Sequence, residues 1–381
     1  MSSSAEKRVL ILHPFLNYYG GAESQLQLVA NHLYPQADLF TFSYNPKILE
    51  FMGIEEKRII SPFGKGLLSH LYRQMTPLYP SLVDTLSFEK YDLILSFSYA
   101  YMHGLVTPHT VPHISYIQTP MRLLWLQESD YYIYNKIPLV KQVYQTILTW
   151  QRIWDQQAAM RPDYLLANSL EVQKRIEVFW RRPSAVLHPP VDTSFYTPRG
   201  PQKKDDYFVT HGRLVRYKRV DILIQACLQA KQRLKIIGSG PEYNSLKKVA
   251  KGSSDIEFIG QATHEEKRAL LQQAKGYLFA AYEDFGIAPV EALASGTPVL
   301  AFGKGGAVET LTPDTGMFFK EQTSESVRGQ LGHFEEFAAQ VNQNILLKQA
   351  SKFSKERFIE EYTRTVDERV DRFSKEGPPL H

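Results

Sequence analysis

Short apolar runs alternate with amphipathic segments along almost the whole chain. In the first half the runs are VLILHP, DLILSFS, HISYIQ, DYLLANS and AVLHPP, at 9–14, 92–98, 113–118, 163–169 and 185–190. In the second half they are YFVTHGRL, LKIIGSG, IEFIG, GYLFAAY and PVLAFG, at 207–214, 234–240, 256–260, 276–282 and 298–303. Runs this apolar indicate strands of parallel sheets, because such strands are covered on both faces. Segments of helical spacing, such as AESQLQLVANHL and HEEKRALLQQA, lie between them.

This alternation predicts an α/β fold with two doubly wound parallel-sheet domains. The stretch TPRGPQKKDD at 197–206 is too polar to bury, so it indicates the boundary. The predicted domains are 1–198 and 207–355, with a linker at 199–206. The charged amphipathic tail at 356–381 predicts a helix that packs back on the first domain.

Composition and charge exclude several classes of protein. The chain has 381 residues, of which 43% are hydrophobic and 22% charged, a balance typical of a globular protein. The net charge of +4, from 44 Lys and Arg against 40 Asp and Glu, is too even for a nucleic-acid-binding protein. A single cysteine, Cys227, excludes an internal disulfide and indicates a reducing cytoplasm. We find neither a signal-peptide core nor an apolar run of the ~20 residues needed to cross a bilayer.

Glycine-rich turns follow two of the predicted strands, at the carboxyl ends where open α/β sheets bind their ligands. Gly20 and Gly21 precede a helix whose unpaired N–H groups suit an oxyanion or phosphate. Gly238 and Gly240 form a similar turn, with room for a base or ribose. The turn at Gly20 and Gly21 has a second interpretation, a tight strand-to-helix connection without a ligand.

Two cations follow the strand that opens the second half. Arg213 and Lys218 lie five residues apart in HGRLVRYKRVD. A guanidinium and an ammonium together suit a diphosphate whose charge must be neutralised as a bond to it breaks. The alternative is a solvated face at a helix start.

Two acids frame the turn in YEDFGIAPVEALASGTPVLAF. Glu283 follows a predicted strand, Glu291 lies within the next helix, and the N–H groups of Phe285, Gly286 and Ile287 lie between them. Helical rise limits the carboxylate separation to about 10–12 Å. That span suits a nucleotide sugar, which has hydroxyl groups on both sides of a diphosphate. Glu291 stands among apolar neighbours, and buried carboxylates are seldom without partners.

Six motifs occur in a fixed order: GGAE, GRLVRYKRVD, IIGSGPE, FIGQAT, EDFGIAPVEALASGTPV and GKGGAVET. Together they resemble the retaining glycosyltransferases of family four, also called glycosyltransferase group 1. That resemblance implies the GT-B fold, with two Rossmann-like domains facing across a cleft. IQTPMRLLW together with EDFGIAPVEA is most similar to bacterial mannosyltransferases of O-antigen and exopolysaccharide assembly.

The resemblance implies three catalytic residues. Arg213 and Lys218 would bind the donor diphosphate and stabilise the departing nucleotide, and Glu283 would hold the hydroxyls of the donor sugar. Glu291 would bind the ribose. The other implied donor contacts are Gly20, Gly21, Gly238, Gly240, Ile259, Gln261, Phe285, Gly286 and Ile287.

One position departs from the family pattern. Relatives of this subgroup usually have His where this chain has Gln118, in the triplet Gln118-Thr119-Pro120. Glutamine keeps a donor and an acceptor but cannot gain charge, which puts the sugar's identity in doubt. Arg122 is the other candidate near the sugar, with a structural salt bridge as the alternative.

The implied function is the transfer of a hexose, mannose from GDP-mannose, to a saccharide or lipid-linked saccharide acceptor. The resemblance also implies no metal and no other cofactor, because Arg and Lys replace the divalent ion. Three alternatives stay open at this point. They are a UDP-glucose or UDP-GlcNAc donor, an epimerase or glycosyl phosphorylase of the same fold, and a nucleotide-sugar-binding protein without turnover.

A basic amphipathic stretch suggests contact with a membrane surface. Residues 58–83 contain Arg58, Lys65 and Arg73, no acid, and interleaved leucines and aromatics, a pattern that can lie on anionic lipid. Residues 136–154 have the same character. The alternative is packing on the acceptor side of the first domain. The expected location is the cytoplasm, at the inner face of the cell membrane if the lipid contact forms.

Overall fold

The computed structural model describes residues 7–64, 75–86, 88–126, 138–200 and 204–379. The chain forms two compact units. Unit 1 consists of Met1–His188 and Ile359–His381, and unit 2 of Pro189–Phe358.

Unit 1 contains a seven-stranded parallel sheet in the order β5-β3-β1-β6-β7-β8-β9. Its strands are β1 (Val9–Leu12), β3 (Asp38–Phe40), β5 (Ile59–Ile60), β6 (Leu93–Ser98), β7 (His113–Ile117), β8 (Tyr164–Ala167) and β9 (Ala185–Val186). A small second sheet pairs β2 (Phe15–Leu16) with β4 (Ser43–Tyr44). The described helices are α1 (Gly21–Leu28), α2 (Pro46–Met52), α3 (Tyr79–Asp84), α4 (Arg122–Trp125), α5 (Pro138–Ala158) and α6 (Leu170–Trp180).

The sheet of unit 1 is buried, which explains its continuous apolar runs. Every residue of β1, β6, β7 and β8 is buried, as expected for parallel strands covered on both faces. The last helix, α14 (Lys355–Glu376), contributes Tyr362 to this unit. The Tyr362 ring stacks on Phe97 of β6, with the ring centroids 6.1 Å apart.

Unit 2 contains a six-stranded parallel sheet in the order β12-β11-β10-β13-β14-β15. Its strands are β10 (Asp205–His211), β11 (Leu234–Ile237), β12 (Ile256–Gly260), β13 (Ala274–Phe279), β14 (Val299–Phe302) and β15 (Gly316–Phe319). Its helices are α7 (Val220–Ala230), α8 (Tyr243–Ala250), α9 (His264–Gln273), α10 (Ile287–Ala294), α11 (Ala307–Thr310), α12 (Ser324–Gln340) and α13 (Gln343–Ser351).

Unit 2 has an apolar core on each face of its sheet. Neighbouring residues of a strand point to opposite faces, so Val209 and Phe279 join one core while Phe208 and Leu278 join the other. The structure therefore confirms the predicted fold class, two doubly wound parallel-sheet units.

Each of the ten predicted apolar runs contains a strand, but five of the strands among the described residues were missed. The missed strands are β2, β3, β4, β5 and β15, which have two to four residues each. Runs this short produce no clear apolar window. Several predicted strands also extend too far, because the polar residues that follow them form the loops at the carboxyl edge of the sheet.

The division between the units differs from the predicted linker at 199–206. It falls between His188 and Pro189, because Val191 and Tyr196 already pack in a core of unit 2. Strand β10 begins inside the predicted linker, at Asp205. None of the helices among the described residues is long and apolar enough to cross a membrane.

Candidate functional site

Lys218 and Glu283 meet at the carboxyl edge of the unit 2 sheet. Lys218 ends a short 3₁₀ turn after β10, and Glu283 follows β13, the strand paired with β10. The Lys218 Nζ atom lies 2.6 Å from Glu283 Oε1, and the two side chains are only 17% and 16% exposed. The fold thus brings a cation and a carboxylate predicted for the same site into direct contact.

Glycines shape the loop that carries Arg213 and Lys218. A Cβ on Gly238 would lie 2.0 Å from the Gly212 carbonyl oxygen. A Cβ on Gly240 would lie 2.3 Å from the Leu214 carbonyl oxygen. Both positions require glycine because the β11 turn packs directly on the backbone on either side of Arg213. Their predicted contact with the nucleotide stays a prediction.

The turn between Glu283 and α10 is held in place by backbone contacts. Gly286 has a φ of +86° and precedes the first helical residue, Ile287. The Phe285 side chain is buried in the core of unit 2. The Gly306 N–H donates to the Glu283 carbonyl oxygen at 2.9 Å, and a Cβ on Gly306 would lie 2.2 Å from Phe285 Cα. The GKGG motif therefore supports the turn beneath Glu283, a role that the sequence interpretation did not assign.

Glu291 is buried and has two partners within unit 2. His211 Nε2 lies 2.6 Å from Glu291 Oε2, and Lys267 Nζ lies 3.2 Å and 3.1 Å from Oε1 and Oε2. Burial by itself raises the pKa of Glu291, but the Lys267 charge and the His211 hydrogen bond outweigh it and lower the pKa to about 2. Glu291 is therefore ionised at neutral pH.

His211 and Lys267 were not predicted as site residues. His211 lies within a quoted motif, directly before Gly212, but nothing in the local pattern distinguishes it from a buried strand residue. Lys267 lies on α9, where a lysine ordinarily indicates a solvated face. The expectation that Glu291 is buried with partners is met, although the partners come from distant parts of the chain.

The predicted base-side residues lie at the carboxyl end of β12. Ile259 is in β12 and packs against a core of unit 2. Gln261 follows β12, and its Nε2 donates to Ser239 Oγ at 3.1 Å. Gln261 thus adjoins the turn that contains Gly238 and Gly240.

The remaining predicted residues belong to unit 1. Gly20 is the N-cap of α1 and Gly21 its first residue. Gln118 follows β7, and its Nε2 lies 3.4 Å from the Ala22 carbonyl oxygen. Unit 1 therefore brings the glycine pair and Gln118 together. Arg122 begins α4.

An unpredicted acid lies beside Gly20. Glu23 is on α1, and its Oε1 lies 3.9 Å from His13 Nε2. Burial raises the pKa of Glu23 to about 7, against backbone hydrogen bonds to Glu23 and Gly20 that lower it. Burial also lowers the pKa of His13 to about 3. His13 is therefore neutral at pH 7, and the contact is not an ion pair there. Glu23 is the last residue of the GGAE motif, so the sequence contained a pattern that could have identified it.

Across the described ranges, no group of three or more His, Cys, Asp or Glu side chains could hold a metal ion.

Residues 196–343 match the family described as Glycosyl transferases group 1. The GDP-mannose-dependent monoacylated alpha-(1-6)-phosphatidylinositol monomannoside mannosyltransferase of Corynebacterium glutamicum is 31% identical over 153 residues, which cover 33% of this chain and 40% of that protein. The O-antigen chain mannosyltransferase C of Escherichia coli is 24% identical over 168 residues, which cover 42% and 45%. The chain spans less than half the length of each of these curated relatives.

A solved structure shares the fold over most of the chain. Anabaena HepE in complex with UDP superimposes with a TM-score of 0.69 at 17% identity, over 95% of this chain and 100% of that one. Together with the two parallel sheets, this likeness confirms the fold predicted from the sequence. The chain thus contains, at residues 196–343, a region of the glycosyl transferases group 1 family, and it has the GT-B fold.

Proposed function

We propose that this protein is a glycosyltransferase. It moves a hexose, mannose from GDP-mannose, to a saccharide or lipid-linked saccharide acceptor in cell-surface polysaccharide assembly. The observation that carries the proposal is the Lys218–Glu283 contact of 2.6 Å at the strand ends of unit 2, with ionised Glu291 on the helix that follows. These residues offer a cation for a diphosphate and carboxylates for hydroxyl groups.

The Lys218 side chain can donate to a phosphate oxygen and to Glu283 at the same time. Its ammonium has three N–H donors, so it can donate to a phosphate oxygen while Glu283 keeps its contact. Glu283 then accepts from hydroxyls of the donor sugar. Arg213 and the N–H groups at the start of α10 add positive potential. This potential stabilises the diphosphate as the bond between the sugar carbon and phosphate oxygen breaks.

We infer transfer with retention of the sugar's configuration. The acceptor hydroxyl attacks the anomeric carbon from the face that the diphosphate leaves, and its proton passes to a phosphate oxygen. A product whose new linkage has the anomeric configuration of the donor, measured by NMR, supports this route. An inverted linkage contradicts it.

We also propose that the reaction needs no divalent metal, because Lys218 and Arg213 carry the charge that the diphosphate requires. Turnover that persists at full rate in excess EDTA supports this. Activity that EDTA abolishes and Mg²⁺ or Mn²⁺ restores contradicts it.

Two findings bear on the donor nucleotide and point in different directions. The name of the Corynebacterium relative specifies GDP-mannose, and the Escherichia relative is a mannosyltransferase. These names support GDP-mannose. Anabaena HepE was solved with UDP, so a UDP-sugar donor is the second candidate.

The test is release of free nucleotide from GDP-mannose or UDP-glucose in the presence of a mannosylated lipid-linked acceptor. Glu283→Gln is expected to lower turnover by at least 100-fold, since a preorganised charged contact to the reacting sugar is lost. Glu257→Gln is the matched control, because Glu257 also pairs with a lysine of unit 2, at 3.5 Å, but is 51% exposed. Binding of a donor without any release identifies a nucleotide-sugar-binding protein instead.

We propose that the protein works in the cytoplasm, at the inner face of the membrane. Helix α5 supports this, since Val143, Trp150 and Ile153 are 56%, 46% and 60% exposed. The other predicted stretch gives less support. The Arg58 guanidinium donates to backbone carbonyls of Ala30, Tyr34 and Ala37, and residues 65–74, including Lys65 and Arg73, lie outside the described residues.

A further inference from the structure

The side chains of His211, Lys267 and Tyr196 cluster around one buried carboxylate of unit 2, that of Glu291. Glu291 of α10 contacts His211 at the end of β10 and Lys267 of α9. The Lys267 ammonium lies 5.0 Å from the centre of the Tyr196 ring. The side chains of Glu291, His211 and Lys267 are 12%, 7% and 17% exposed, so this cluster is nearly closed but still reaches the surface.

The charges in the cluster have one arrangement at neutral pH. Burial lowers the pKa of His211, against the raising effect of Glu291, so the imidazole is neutral and donates its Nε2 hydrogen to the carboxylate. Lys267 is then the cation that balances Glu291. Lys218 is a second cation near this position, since Lys267 and Lys218 both lower the pKa of His211.

The existing contacts limit what Glu291 can still accept. A carboxylate offers about four acceptor positions. His211 takes one on Oε2, and Lys267 contacts both oxygens. A ribose presents two adjacent hydroxyls, each of which is both donor and acceptor. In this arrangement Glu291 can accept a hydrogen bond from one ribose hydroxyl more readily than from both hydroxyls.

Lys267 supplies the hydrogen-bond donor that the Glu291 carboxylate lacks. Its ammonium has three N–H donors, and the two contacts to Glu291 leave another that can reach a hydroxyl oxygen. A carboxylate and an ammonium side by side therefore match a diol in which one hydroxyl donates and the other accepts.

We propose that Lys267 is a specificity-determining residue of the nucleotide site, where it donates to one ribose hydroxyl while Glu291 accepts from the other. This rests on the proposed function, because it assumes that a nucleotide occupies unit 2. The consequence is selectivity for ribonucleotides over deoxyribonucleotides.

The test is calorimetric titration of the full chain with GDP, 2′-deoxy-GDP and 3′-deoxy-GDP. The wild type is expected to lose about 10- to 100-fold in affinity for the analogue that lacks the hydroxyl served by Lys267, the effect of one hydrogen bond to a charged group. In Lys267→Met the affinity for GDP falls by a similar factor. In this variant, the deoxy analogue then binds no more weakly than GDP does.

Lys235→Met is the matched control. Lys235 also lies near a tyrosine ring and pairs with a glutamate, Glu257, and its side chain is 20% exposed. The Lys235→Met variant should keep the full difference in affinity between GDP and the deoxy analogue. Should Lys267→Met fail to fold, as judged by circular dichroism, Lys267→Gln replaces it. Its amide is an uncharged and therefore weaker donor, so the affinity loss for that analogue should be smaller than in the wild type.

Equal deoxy penalties in the wild type and the Lys267 variant overturn the proposed contact and leave the proposed function standing. A wild-type protein that binds GDP and both deoxy analogues equally overturns it too. Absence of binding by GDP, UDP and ADP overturns the proposed function together with this inference.

Discussion

At the residue scale, the charged groups of the candidate site are held by partners of opposite charge. Lys218 contacts Glu283, and Lys267 with His211 contacts Glu291. Buried charges need such partners, since an unpaired ion in the interior costs several kcal/mol. Both carboxylates are therefore oriented before any ligand arrives, and the low pKa of Glu291 keeps it ionised.

Glu23 of α1 has a raised pKa, whereas the pKa of Glu291 is lowered, and this difference leads to a prediction on pH. Burial raises its pKa from 4.5 to about 7, so between these values the folded state binds more protons than the unfolded state. The free energy of unfolding must then fall as the pH rises through this window and level off above it. His13 does not titrate there, because burial lowers its pKa to about 3.

Glu23→Gln is expected to gain stability relative to the wild type as the pH rises from 5 to 8, by at most about 3 kcal/mol. Urea unfolding followed by tryptophan fluorescence measures this, since all four tryptophans, Trp125, Trp150, Trp154 and Trp180, lie in unit 1. Exposed Glu50 supplies the control, Glu50→Gln. A stability difference that is constant across this pH range disproves the raised pKa.

The sequence predicted the acids and cations of the candidate site but not the contacts that pair them. Glu283, Glu291, Arg213 and Lys218 were identifiable because motif and position relative to the strands agree. Lys267 was not, because its contact with Glu291 joins two helices separated by a strand. Such contacts depend on the register of whole elements, which local patterns do not report.

At the element scale, one buried acid ties three helices of unit 1 together. Asp155 of α5 accepts hydrogen bonds from Trp125 Nε1 of α4 at 2.7 Å and Trp180 Nε1 of α6 at 2.8 Å. His103 Nε2 lies 3.4 Å from its other oxygen. Asp155 is 1% exposed, so water cannot replace these contacts.

Asp155→Asn is therefore expected to lower the free energy of unfolding of unit 1 by about 2–4 kcal/mol, because buried indole N–H groups lose a charged acceptor. Chemical unfolding followed by fluorescence measures the loss. Glu177→Gln changes an exposed acid on α6 and should shift the midpoint little. Equal stability of Asp155→Asn and the wild type would show that Asp155 does not join these helices.

Helices and strands could be predicted where the pattern of apolar residues extended over enough positions. The predicted helix HEEKRALLQQA corresponds to α9, whose Thr263 and Glu266 form a capping box. The strands that were missed have too few residues for a pattern. Strand β15 is also preceded by Thr312–Thr315, a turn sequence that obscured its start.

At the scale of the whole molecule, the two-unit organisation followed from the two series of apolar runs. The boundary did not, because Pro189–Tyr196 has the composition of a loop yet contributes Val191 and Tyr196 to the core of unit 2. Composition reports which residues can be buried, and it does not report which core they join.

The proposed membrane contact leads to a prediction for the full chain. The wild type is expected to float with phosphatidylglycerol vesicles, and Trp150→Glu should bind them at least several-fold less, because it places a charge on the exposed apolar face of α5. Val106→Glu alters another exposed apolar residue of unit 1 and should bind as the wild type does. A wild type that stays with the soluble fraction contradicts the contact.

The most direct measurement of the central claim is the affinity of the full chain for GDP and UDP, with guanosine and uridine for comparison, in the wild type and in Lys218→Met. The account predicts that the wild type binds one of the diphosphates. It also predicts that Lys218→Met weakens this binding about tenfold or more, while the affinity for the matching nucleoside is unchanged. A wild type that binds neither diphosphate, or a Lys218→Met variant that binds as tightly as the wild type, would contradict the claim that Lys218 and Glu283 form a nucleotide-sugar site.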